Sequence, residues 1–130
     1  MSGEKELNKI IGNLQPRLNE GEYVFCTVPM GGVKVSMEVV IGSFREREGM
    51  TVVLSKDVAD GLGLSYDLVH SWITLNIHSS LEAVGLTAAF SSALSKENIS
   101  CNVIAAYYHD HIFVSREDSS RALEVLGNIR

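Results

Sequence analysis

Residues 86–94 constrain the fold of this chain more than any other stretch. Leu86, Ala89, Phe90, Ala93 and Leu94 recur at i, i+3, i+4, i+7 and i+8, the spacing that lays one apolar stripe along a buried helix. Asn98 stops that helix. Upstream, residues 68–77 read as a strand, with Trp72, Thr74 and Asn76 on one face and Val69, Ile73, Leu75 and Ile77 on the other. Downstream, residues 99–107 and 112–114 are rich in β-branched and aromatic side chains and read as two strands joined across Tyr108 to His111. Ser115, with Asp118 three positions on, has the spacing of a capping box for a last helix carrying Ala122, Leu123, Leu126 and Ile129.

The order strand, helix, strand, strand, helix is the split βαβ, or ferredoxin-like, pattern without its final strand. The first half runs helix, strand, strand, strand, helix. Leu7, Ile10, Ile11 and Leu14 give an amphipathic helix over 4–14, closed by Pro16. Residues 23–28 read as a strand, and Pro29, Met30, Gly31 and Gly32 as a turn. Residues 39–44 and 51–54 form a hairpin whose tip, Arg45 to Gly49, alternates in charge and reads as a solvated turn rather than an acid/base pair. Ser55 caps a short helix with Val58, Ala59 and Leu62, ended by Gly61 and Gly63.

Each half thus looks like one unit with a strand missing or displaced. An uncovered sheet edge is a liability, so the halves are expected to complete each other's sheets or to pair across a dimer. The expected fold is α+β: two ferredoxin-like, βαββαβ-derived units side by side, residues 1–66 and 67–130, with antiparallel sheets and helices on one face.

Eleven basic residues against sixteen acidic ones leave a net charge of -5, and Lys5, Lys34, Arg45, Lys56, Lys96, Arg116 and Arg130 are spread along the chain, so no nucleic-acid partner is expected. No stretch nears the ~18 apolar residues of a membrane span, and residues 1–9 lack a signal peptide's apolar core; no membrane partner is expected and the location reads as cytoplasmic. Cys26 and Cys101 sit far apart in apolar runs without metal or redox spacing, and read as reduced, buried thiols.

The string Val84-Gly85-Leu86-Thr87-Ala88-Ala89-Phe90, followed by Asn98-Ile99-Ser100-Cys101-Asn102-Val103-Ile104, resembles an ACT domain, as in the regulatory domains of aspartate kinases and related amino-acid sensors. In that family a glycine opens the first helix after a first strand, and a G-I-x-x-x-x-I second strand follows the helix. Gly85 stands at the helix-opening glycine, residues 99–104 at the second strand, and Asp110-His111-Ile112-Phe113-Val114 resembles the third strand. Residues 44–64 resemble the companion domain of small tandem ACT proteins.

The resemblance implies a regulatory or sensor protein that binds a small molecule, an amino acid by analogy, with Val84, Gly85, Leu86, Thr87, Asn102, Val103 and Ile104 nearest the ligand. Independently, a glycine at a helix start lets a ligand approach the backbone, and the free first-turn N–H groups favour a carboxylate. Ser79, Ser80 and Thr87 add hydroxyls. Relative to the family loop, Glu82 stands at an acidic position, Val84 replaces a proline, and Ser79 to Leu81 lengthen the turn.

No catalytic residue, metal or cofactor is assigned. His109-Asp110-His111 supplies at most half of a tetrahedral metal site, with His70 and His78 as conditional partners. Cys101 has no base in a nucleophile signature, and nothing fixes Glu82 against Asp110 as an acid/base pair. The strand of Cys101 to Ile104 lacks the aromatic and basic residues of an RNA-binding sheet, and no Gly-rich phosphate loop occurs. The expected partners are a small-molecule ligand and a second copy in a homodimer; the competing expectation is a purely structural ACT-type dimerisation module without a ligand.

Overall fold

The computed structural model describes residues 15–31, 35–75 and 85–129, so the helix expected over 4–14 lies outside the described residues. The elements are β1 (Pro16–Val28), β2 (Gly42–Arg45), β3 (Met50–Ser55), α1 (Lys56–Gly61), β4 (His70–Leu75), α2 (Leu86–Lys96), β5 (Cys101–Ala105), β6 (Asp110–Ser115) and α3 (Ser119–Gly127). They fall into two compact units, one of Gly21–His70 and one in which Ser71–Arg130 is joined by the residues up to Glu20.

In the Gly21–His70 unit the strand order is β2-β3-β1. Both pairings are antiparallel, with Val24 opposite Leu54, Cys26 opposite Val52, and Ser43 opposite Val52 from the other side. Because side chains alternate along a strand, Val24, Cys26, Val28, Val52 and Leu54 share one face, and they form the core with Ala59 of α1. Ser55 is extended and its hydroxyl accepts from the Val58 N–H at 3.3 Å, the N-cap the sequence calls for. The hairpin tip closes between Glu46 and Gly49, whose backbones bond in both directions at 2.9 and 3.4 Å.

The second unit has the order β1-β4-β6-β5. Trp72 lies against Phe113 while Thr74 meets His111, so numbers rise on β4 as they fall on β6 and the two run antiparallel. β5 and β6 are antiparallel as well, with Asn102 opposite Phe113 and Ile104 opposite His111. The core is Ile73 and Leu75 of β4, Ile112 and Val114 of β6, and Leu86, Phe90, Leu94, Ala122 and Leu126 of the helices, with Ile99. The stripe on α2 therefore buries as its spacing requires, and Asn98, at φ +59°, turns the chain out of the helix. Arg121 of α3 donates to the Glu97 carbonyl at that end and bonds Asp118 at 3.0 Å.

Two features depart from the sequence expectation. The first strand starts at Pro16, not Tyr23, and its first five residues supply the strand that sequence order leaves missing from the second unit. Arg17, Asn19 and Glu20 have little strand propensity; tertiary bonds hold them, the Asn19 amide donating to Thr74 Oγ1 at 2.8 Å and to the Trp72 carbonyl at 3.2 Å. The last helix begins at Ser119 after a single 3-10 turn, Arg116–Asp118. Ser115 makes no side-chain cap bond, and Ser119 donates instead to the Arg116 carbonyl at 2.7 Å.

Candidate functional site

Gly85 takes φ +95°, a left-handed conformation that glycine adopts without steric cost, and it directly precedes α2. Among the described residues no side chain caps this helix end, and the first intrahelical bond runs from the Ala89 N–H to the Gly85 carbonyl at 2.8 Å. The amides of the first turn thus point out of the helix with the positive end of its dipole behind them. Thr87 is exposed beside them, whereas Leu86 is 3% exposed and belongs to the core. Ser79, Ser80, Glu82 and Val84 lie outside the described residues.

The remaining expected contacts, on β5, divide between two surfaces. Cys101 and Val103 pack toward the core beneath the helices, so Asn102 and Ile104 face the opposite way, both exposed. They share that outer face with their partners on β6, Phe113 and His111. Within the second unit Gly85 and Val103 therefore attend the helix side of the sheet, and Asn102 and Ile104 the other.

The outer face holds a polar network that sequence spacing does not reveal. The Trp72 indole N–H donates to His111 Nδ1 at 2.9 Å, and Thr74 Oγ1 lies 3.3 Å from the same nitrogen while accepting from Asn19. A ring nitrogen that accepts from indole is unprotonated, which makes the imidazole neutral with its proton on Nε2. Burial lowers the His111 pKa, the neighbouring His109 lowers it further, and Asp110 opposes them. Asp110 itself is buried, and burial raises its carboxyl above the usual range.

Other titratable candidates do not converge. His70 packs edge-on against Phe25 at 5.1 Å, and burial lowers its pKa; His78 lies outside the described residues. Among the described residues no three His, Cys, Asp or Glu side chains gather as a metal site would require. Burial pushes both the Cys26 and Cys101 thiols up, away from the thiolate a nucleophile needs.

Sequence reasoning missed a cleft of about 380 Å³ in the Gly21–His70 unit. Met30, Met37, Met50, Val28, Val40 and Ser43 are among its lining. The available signal was methionine usage: three of the chain's four methionines line this one space.

Two family profiles, each described as ACT domain, match the chain, over residues 2–71 and residues 67–128. The chain belongs to the ACT-domain family. ACT domains are regulatory, ligand-binding modules, and neither match is to a catalytic family. Among solved structures, a Vibrio cholerae protein of unknown function, described as a possible transport protein, is 45% identical, with a TM-score of 0.86 over 98% of both chains. An Agrobacterium tumefaciens protein is 16% identical, with a TM-score of 0.73 over 89% of this chain and 88% of that one. The ligand-free regulatory subunit of aspartate kinase from Thermus thermophilus is 8% identical, with a TM-score of 0.63 over 88% and 95%. The last two share the ACT fold. No curated protein matches the sequence. No helix among the described residues is long and apolar enough to cross a membrane.

Proposed function

We propose that this tandem ACT protein, with residues 1–66 and 67–130 as its successive units, is a cytoplasmic sensor that binds an amino acid at the Gly85 turn. It regulates through its pairing as a homodimer and performs no catalysis. The observation that carries the reading is the left-handed Gly85 that opens α2, inside a family of ligand-binding regulatory modules. The ligand's carboxylate takes the first-turn amides and Thr87 adds a hydroxyl. Asn102 and Ile104 face away from the helices of their own unit, so this reading assigns them to the ligand or edge of a second copy. A ligand that binds one pairing better than another shifts the population of pairings by that difference in affinity.

The test is a thermal-shift screen of the whole chain against the common amino acids. A ligand at a hundred times its Kd should stabilise the protein by about 2.7 kcal/mol. Gly85→Asp, which puts a carboxylate where the ligand's would sit, should remove the response. A panel without any response, or a response that survives Gly85→Asp, overturns the site; a dimer that no amino acid stabilises is the purely structural module.

A further inference from the structure

The two units differ in how they cover their sheets. The crossover from β4 to β5 carries α2, whose Leu86, Phe90 and Leu94 are at most 3% exposed and fill the space above β4 and β6. The crossover from β1 to β2 has no helix among its described residues; it turns at residues 36–40, where Val39 N–H bonds the Ser36 carbonyl at 3.1 Å. The cleft of about 380 Å³ lies there. Val28 and Met50, opposite one another on β1 and β3, belong to the core side of the sheet, and Val40 packs with them. Met30 and Met37, 50% and 72% exposed, belong to the accessible part of the lining, with Pro29, Gly31 and Ser43.

We propose that this cleft is a binding site for a small, uncharged, apolar molecule of about bicyclic aromatic size, which completes the core where the sister unit uses a helix. Its volume decides the size class, because an apolar cavity of ~150 Å³ already takes benzene. Its chemistry decides the rest. Among the described residues none that lines it is charged and Ser43 supplies the one side-chain hydroxyl, so a zwitterion would lose its hydration there without a counter-charge from them. Methionines, unbranched and polarisable, adapt their shape to an aromatic guest and make favourable sulfur–ring contacts. The site is separate from the Gly85 turn and its chemistry excludes the ligand proposed there, so neither depends on the other.

The methionines provide the test. With the ε-methyl groups labelled with carbon-13 in the full chain, Met30, Met37 and Met50 report on the cleft they line. Titration with indole should move the Met30, Met37 and Met50 signals along one common saturation curve. Ser43→Leu, which fills the cleft, should weaken that curve at least tenfold, while Lys96→Gln, at an exposed position on α2, should leave it unchanged. Signals that stay fixed up to the solubility of indole, shifts that follow no common curve, or a curve that Ser43→Leu does not alter overturn the proposal.

Discussion

At His111 the indole N–H of Trp72 points at Nδ1 across 2.9 Å, and a nitrogen accepting that bond cannot also carry a proton. Protonation there sets two donors face to face and breaks the Trp72–His111 bond. Folding accordingly favours the neutral ring, and burial and His109 hold its pKa below 6.5. Between the folded and unfolded values the unfolded chain binds more protons, so stability is full above pH 6.5 and is lost as pH falls toward the folded pKa. Asp110, raised by burial, has the opposite sign in a window that starts at its ordinary 3.8 and runs upward from there. Trp72 is the sole tryptophan, so its fluorescence should titrate below pH 6.5 along with thermal stability. His111→Gln should remove the fluorescence titration; an unchanged titration in that variant places the proton elsewhere.

Among the elements, β1 shows how a strand forms against its own propensity. Its later residues, Val24, Cys26 and Val28, alternate toward a core and announce a strand from the sequence. Its first residues carry no such pattern and are held where Asn19 reaches the Trp72 carbonyl and Thr74. Thr74 is 2% exposed, so losing its donor leaves a buried hydroxyl with His111 alone. Asn19→Ala should lower the unfolding free energy by about 1–3 kcal/mol, read as a lower urea midpoint. A change within ~0.5 kcal/mol would mean that the backbone ladder alone holds this end of β1. The capping-box reading of Ser115 failed for a related reason. Pattern marks the neighbourhood of a helix start, but Ser119 and Arg116 decide by their own hydrogen bonds where the first α-turn closes.

For the molecule as a whole, each unit ends, among the described residues, in a strand bonded on one side within its unit, β2 in one and β5 in the other. Such edges invite pairing. As a homodimer the chain should show a melting temperature that rises with protein concentration, because dissociation is then coupled to unfolding. A melting temperature constant over a hundredfold dilution, with a monomer mass by sedimentation, removes the dimer from the proposed mechanism.

Local pattern determined the elements and the family. The stripe Leu86, Phe90, Leu94 is a helix wherever it finds a core, and Gly85 marks the turn before it, since both follow from periodicity and backbone freedom. Only the tertiary structure decided which residues meet across the chain. It brought Asn19 to Thr74, set Trp72 against His111, turned Asn102 and Val103 to opposite faces, and opened the methionine-lined cleft at the crossover from β1 to β2. Long-range pairing and packing select those partners, and no window of the sequence contains both members of such a pair.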